Sequence, residues 1–254
     1  MASLTRPSQP KSERSIFLGD IHFPYQDDKA LKLVENFARW FNPDAIFLIG
    51  DMLDFYALSS FDKDPTRILS LQEEIDQAVT FLRRLRKHHP DATIVFLEGN
   101  HEDRLSRYLK KHPEISSLKC LSLPSLLELD SLNISHYPYR KAIVYQDFVV
   151  EHGHVVRQNS AYSAKAMLDK RHMSGITGHT HRLGVCHQTT QGTNNYWVEN
   201  GCLCELNPEY MHGYPDWQHG FSVGYLIDEV PDLIVKNIPI HNYKIFYEEK
   251  LFSL

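Results

Sequence analysis

Nowhere does this chain run apolar for the eighteen or so residues that a membrane-spanning helix needs, and residues 1–15 hold no apolar signal core. A soluble, cytoplasmic protein with no membrane partner is expected. Cysteine is scarce: Cys120, Cys186, Cys202 and Cys204 are too few and too unevenly spaced for a disulfide framework. Cys202 and Cys204 lie two apart, which is no zinc-knuckle spacing, and nothing nearby in sequence completes a soft metal site, so both are expected to be buried thiols. An excess of charge is missing too. With 32 acidic against 27 basic side chains the net charge is −5, and no global field would hold a polyanion. Any phosphate-bearing partner has to be gripped locally. Internal repeats, low-complexity tracts and interdomain linkers are also absent, which leaves one domain over residues 16–254 behind a solvated, disordered tail of residues 1–15. What the chain does have is 42% hydrophobic residues, enough for a substantial core, and fifteen histidines.

Short apolar runs alternate with amphipathic stretches. Ile16-Phe17-Leu18-Gly19 predicts a buried strand, and Ala30, Leu31, Val34, Phe37, Ala38 and Phe41 recur at helical spacing, so residues 27–40 predict a helix. Ala45 to Ile49 repeats the strand pattern, a long helix is expected from about Arg67 to His88, and Thr93 to Leu97 is a third buried strand. Strand and helix in alternation imply parallel βαβ units. Residues 102–139, broken by Pro113, Pro124 and Pro138, predict a helical insertion that caps the pocket or joins two copies of the chain into a homo-oligomer. Beyond them the pattern is mostly β: a hairpin across Gln146-Asp147, a helix near residues 160–172, and strands at 174–177, 185–190, 196–199, 221–228 and 233–238. The expectation is one α/β domain with two sheets, the second largely antiparallel.

In open α/β sheets, ligands gather at the loops past the carboxyl ends of the strands. Here those loops carry metal-capable side chains: Asp20 and His22; Asp51 and Asp54; Asn100, His101 and Glu102; His152-Gly153-His154; and His179-Thr180-His181. Mixed carboxylate and imidazole donors suit manganese, iron or zinc, whereas all-oxygen donors would suit magnesium or calcium. The number of donors points to two ions, the arrangement that serves displacement at phosphorus.

Asp20-Ile21-His22, Gly50-Asp51-Met52-Leu53-Asp54, Gly99-Asn100-His101-Glu102, His152-Gly153 and Gly178-His179-Thr180-His181, in that order, resemble the five signature blocks of the calcineurin-like metallophosphoesterases. The Asp-x-His-x-Pro opening and the Gly-His-Thr-His-Arg ending are similar to the subgroup carried by bacteriophages and prophages. The resemblance implies a layered α/β/β/α sandwich of two mixed sheets. It implies a hydrolase in which water shared between two divalent ions, manganese before iron, zinc or nickel, attacks a phosphate ester. Carried over by position, Asp20, His22 and His181 would hold one ion, Asn100, His152 and His179 the other, and Asp51 both. His101 would serve the leaving group as general acid, and Asp54 would orient it. Phe55-Tyr56 stands where the phosphoprotein phosphatase branch has Arg-Gly, which argues against a phosphoserine phosphatase of that kind.

Each residue has an ordinary alternative. Asp54 could cap the segment that follows. Either His152 or His154 could ligate; His152 is favoured, with His154 left for substrate. Arg104 and Arg182, each just past a signature block, are candidates for phosphate contact or plain surface ion pairs. Residues 196–201 and 210–217, rich in aromatics, could wall the pocket and stack a base, or be core. The substrate expected is a phosphodiester of a nucleotide or nucleic acid; the alternatives are a phosphomonoesterase or nucleotide pyrophosphatase, and a non-catalytic protein-binding module on the same fold.

Overall fold

The computed structural model describes residues 12–60, 62, 70–190, 192–208, 215–228 and 230–254. Its first sheet rests on three short apolar runs: residues 16–18 of β1 (Ser12–Leu18), the whole of β2 (Ala45–Leu48) and residues 94–97 of β3 (Thr93–Leu97). Side chains alternate across a strand, so such a run serves two cores at once. Ile16, Leu18, Ile46, Leu48, Ile94 and Phe96 face the helices α1 (Asp28–Phe41) and α2 (Leu71–His88). Phe17, Phe47, Ile49, Val95 and Leu97 face a second sheet, with Phe17 and Phe47 stacked at 4.9 Å.

The parallel strands lie in register, Ile16 beside Ile46, Ile46 beside Ile94 and Ile94 beside Ile134, so their carboxyl ends stop at one level. Ile134 belongs to β4 (Ile134–Tyr137), which corrects the expectation of a purely helical insertion at 102–139. The segment does contain α3 (Asp103–Lys111), α4 (Pro113–Ser116) and α5 (Leu123–Leu126), but it ends as an edge strand of the first sheet. Only Ile134 in β4 is buried, so the run is too short and too polar to stand out in sequence. The helix expected from Arg67 starts at Leu71, behind a capping box of Ser70 and Glu73; residues 67–69 lie outside the described residues. β1 begins at Ser12, inside the expected tail, and residues 1–11 lie outside the described residues.

The second sheet is built from β5 (Ile143–Tyr145), β6 (Phe148–Val150), β7 (Gly175–Thr177), β8 (Leu183–Thr190) and β9 (Thr193–Asn200), in the order β5-β6-β7-β9-β8. The expectation that it is largely antiparallel needs correction. The β6–β7 and β7–β9 pairs are parallel, because α6 (Tyr162–Arg171) crosses from β6 to β7 over the outer face. There α6 packs Ala164, Met167 and Leu168 on Val149 and Trp197. β10 (Gly220–Ile227), antiparallel to β1, and β11 (Val230–Pro239), antiparallel to β10, extend the first sheet. A closing hairpin, β12 (Lys244–Tyr247) and β13 (Lys250–Ser253), sets Tyr247 and Phe252 edge-on against Phe37 of α1. The layers are therefore α/β/β/α, with two mixed sheets face to face. No helix among the described residues is long and apolar enough to cross a membrane.

Candidate metal centre

Strand ends at one level bring their loops into direct contact. Asp20 N–H donates to the Gly50 carbonyl at 3.0 Å and His22 N–H to the Asp51 carbonyl at 3.0 Å, lacing the first loop to the second. The buried Glu102 carboxylate accepts from three backbone N–H groups, Gly99 at 2.7 Å, Leu53 at 2.9 Å and Asp51 at 3.0 Å, and so joins the second loop to the third. Glu74, at the start of α2, accepts from Phe55 N–H and fixes the far end of the second loop. Asp20, His22, Asp51, His179 and His181 all have φ between 49° and 68°, a left-handed conformation that costs a side-chain-bearing residue on the order of 1 kcal/mol or more. Strain gathered on these residues is the mark of a site that the surrounding fold enforces. Glycine makes room for it: a Cβ on Gly99 would lie 2.1 Å from Asp51 Oδ1, and Gly50, at φ +95°, passes so near His152 that a Cβ would lie 2.6 Å from Nδ1.

The donors converge around Asp51. His152 Nε2 lies 3.2 Å from Asp51 Oδ2 and 3.1 Å from Asn100 Oδ1, while its Nδ1–H donates to the Ile49 carbonyl at 2.9 Å. That second bond fixes the tautomer and aims the Nε2 lone pair at two oxygens. His181 Nε2 lies 3.2 Å from Asp20 Oδ1 and 3.1 Å from His22 Nε2. Donor atoms of Asp20, His22 and His181 form one group within 4.8 Å of one another, and those of Asp51, His152 and His179 form another. His22 Nε2 is 3.8 Å from Asp51 Oδ2, so Asp51 stands between the two groups.

The electrostatics test whether these residues suit cations. Burial raises the carboxyls of Asp20 and Asp51, but the imidazoles of His181 and His152 outweigh it and hold both below the ordinary aspartate value, Asp51 well below. Burial pulls His152 down, yet Asp51 lifts it to about 10; His181 rises to about 10 in the same way, against burial, from the Cys204 sulfur and Asp20. His179, buried beside the charged His152, falls to about 4. The carboxylates thus favour positive charge at His152 and His181, which is where two divalent cations would supply it instead. The donor set fits a pair of borderline divalent ions.

His101 forms a further group with His22 and Asp51, its donor atom within 4.8 Å of theirs. Its Nδ1–H is shared between the Asp54 carbonyl at 2.8 Å and Oδ1 at 3.2 Å, and Nε2 lies 3.9 Å from Asp51 Oδ2. Burial lowers its pKa, but Asp51 and Asp54 more than offset that and leave it above the usual imidazole value. Asp54 also accepts from His22 Nδ1 at 3.3 Å, so one carboxylate orients both rings. Against burial, those two bonds keep Asp54 far below its ordinary pKa. It orients side chains, and is no mere cap.

Arg104 donates to the Asp54 carbonyl at 2.8 Å, and its Nη2 lies 3.1 Å from His101 Nε2. Arg182 turns instead to the Asp216 carbonyl at 2.9 Å, its carboxylate at 3.3 Å and the Arg157 carbonyl, which leaves it no fork for phosphate. His154 is exposed, with Lys170 Nζ 2.8 Å from its Nε2, and it joins neither donor group. Residues 196–201 are mostly core: Trp197, Glu199 and Asn200 are fully buried, and Glu199 holds Thr180 at 3.1 Å beneath the last loop. Trp217 lies 4.3 Å from the His181 ring, whereas residues 210–214 lie outside the described residues. Sequence reasoning missed the roles of Glu102 and Glu74, whose partners are backbone groups far along the chain. It also judged Cys202 and Cys204 to be isolated. Both are buried and free, but Cys204 Sγ lies 3.7 Å from His181 Nδ1, and the two thiols with His181 form a further group within 4.8 Å.

Fold and site together define a layered α/β/β/α protein with clustered donor groups at the strand ends that could hold metal ions. Residues 14–200 match the model of the calcineurin-like phosphoesterases, and the chain belongs to that family. It is 30% identical over 230 residues to the Gene 54 protein of Mycobacterium phage D29, spanning 84% of this chain and 88% of that one. The Gene 54 protein of Mycobacterium phage L5 is 28% identical over 227 residues, with the same coverage. Among solved structures, vacuolar protein sorting 29 from Cryptosporidium parvum superposes with a TM-score of 0.51 over 96% of this chain and 99% of that one, at 13% identity.

Proposed function

We propose that the chain is a phosphodiesterase that works with two divalent ions, manganese foremost, on phosphodiesters of nucleotides or nucleic acid. The observation that carries this reading is the position of Asp51, shared by the donor group of His152 and His179 and by that of His22 and His101, with His101 Nε2 3.9 Å from its Oδ2. Asp20, His22 and His181 would hold one ion, Asn100, His152 and His179 the other, and Asp51 both. The chemistry such ions supply when bound is acidification of an attacking water and neutralisation of charge on the phosphoryl oxygens. His101 delivers the proton to the departing oxygen from Nε2. Asp54 keeps the other ring proton at Nδ1, and the carboxylates that raise the His101 pKa keep a protonated fraction at neutral pH.

A diester is favoured over a monoester because the second negative charge of a monoester needs a further cation. Both arginines expected to meet phosphate are spent within the fold, Arg104 on Asp54 and His101, Arg182 on Asp216 and Arg157. The test uses protein stripped with chelator and reloaded with manganese, assayed on bis-p-nitrophenyl phosphate and p-nitrophenyl phosphate. Faster hydrolysis of the diester is expected. Faster hydrolysis of the monoester would make this a phosphomonoesterase, and no hydrolysis of any phosphoester by metal-loaded protein would leave a non-catalytic protein-binding role.

A further inference from the structure

Although the chain is acidic overall, basic side chains crowd both sides of the metal centre. On one side, a cavity of about 490 Å³ opens beside Asn100 and is lined by Arg104, Arg107, Tyr108, Lys111 and His112. The three cations of α3 fall three and four residues apart, so a single helix face presents them. On the other side, a cavity of about 330 Å³ opens beside His152 and is lined by Tyr139, Arg140, Lys141, His154, Lys170 and Arg171. Asn100 Oδ1 and His152 Nε2 are 3.1 Å apart, so each cavity reaches one side of the same contact in the centre.

Very little negative charge answers these cations. Among the described residues, the one carboxylate in either lining is Glu151, which is buried and paired with Arg171 at 2.6 Å. Arg104 is held by Asp54, 2.8 Å from its carbonyl and 3.8 Å from its carboxylate, and Arg107 pairs with Asp103, which leaves Lys111, among the described residues, as the unpaired α3 cation of that lining. Lys111, Arg140, Lys141 and Lys170 make no ion pair with any described carboxylate. Each cavity also holds a tyrosine beside its cations: Tyr108 is exposed with its ring 4.3 Å from His112, and Tyr139 lies under the Arg140 guanidinium.

We propose that a single strand of nucleic acid lies across the metal centre, one phosphodiester at the ions and its neighbours in the two cavities. A mononucleotide or a small monoester would need cations on one side only. A run of phosphates interrupted by planar bases needs cations and an aromatic face on both, which is what single-strand binders supply. This inference rests on the phosphodiesterase reading for the chemistry at the centre, but the groove stands or falls on binding alone.

Lys111→Glu and Lys141→Glu reverse one exposed charge on each side, and Lys244→Glu on β12 is the control. Binding of a fluorescein-labelled oligothymidylate of about twelve nucleotides, a length within the span of known single-strand sites, is followed by fluorescence anisotropy in chelator at several salt concentrations. Each groove variant should weaken binding about tenfold, and lower the slope of log affinity against log salt by about 0.7, while the control stays within about twofold. In manganese, the ratio of kcat/KM for the oligonucleotide to that for bis-p-nitrophenyl phosphate should fall by a similar factor in each groove variant. Unchanged binding in both variants, a loss on one side alone, or equal affinity for a duplex of the same length would each overturn the proposal. Hydrolysis of the small diester reports separately on the phosphodiesterase reading: a groove lost with that activity intact, or kept without it, tells the two apart.

Discussion

The two sheets contribute to the centre in different ways. The first supplies all the candidate oxygens, Asp20, Asp51, Asp54 and Asn100, together with the imidazoles of His22 and His101, on loops that hold one another through Glu102 and the backbone bonds from Asp20 and His22. The second supplies only imidazoles, and these are oriented from across the interface. His152 leans on the Ile49 carbonyl and on Asp51, His181 on Asp20, and His179 N–H donates to both Asp20 oxygens at 3.0 Å. The oxygen side is built by local lacing, and the nitrogen side is positioned by the oxygen side. Dependence should therefore run one way.

Asp51→Asn breaks that dependence at its root. Turnover should fall by about a thousandfold or more, and metal content after desalting should drop at both positions. His181→Ala, on the second sheet, should instead leave about one equivalent bound, since the Asp51, His152 and His179 group is untouched. Full occupancy in Asp51→Asn would end the asymmetry. His101→Ala should lower kcat by about a hundredfold without lowering metal content, and loss of both would place His101 among the ligands.

A milder measurement sharpens the comparison. With His152 and His181 both near 10, loading two divalent ions at pH 7 should release close to two protons, read by titration calorimetry in buffers of different ionisation heat. Release near zero would mean that protons do not occupy these nitrogens. The smallest effect concerns the lacing itself. Burial pushes Glu74 up to about 8, so its proton is held in the fold and lost on unfolding between pH 4.5 and 8. Stability is then fullest below about pH 4.5 and declines as pH rises through 8. Relative to Glu74→Gln, which keeps the acceptor for Phe55, the wild type should lose about 2 kcal/mol of unfolding free energy between pH 5 and 8, measured by urea denaturation.

Much of the first sheet could be read directly, because β1, β2 and β3 are apolar on both faces and each ends at a glycine with a polar cluster. β4 and the β12–β13 hairpin could not, since each buries only part of a short, polar run. The mixed order of the second sheet depends on where α6 crosses, which no local pattern encodes. In the site, the donors stood out because glycine and motif spacing mark them, whereas the roles of Glu102, Glu74 and Cys204 depend on partners tens of residues away.

By itself the sequence determined which side chains end each strand, because periodicity and glycine are local properties of the chain. Only the tertiary structure brought His152 and not His154 into a donor group, turned Arg182 away to Asp216, and set two cation-lined cavities against one centre. Those outcomes follow from which surfaces two packed sheets bring together, and long-range packing leaves no mark in the spacing of neighbouring residues.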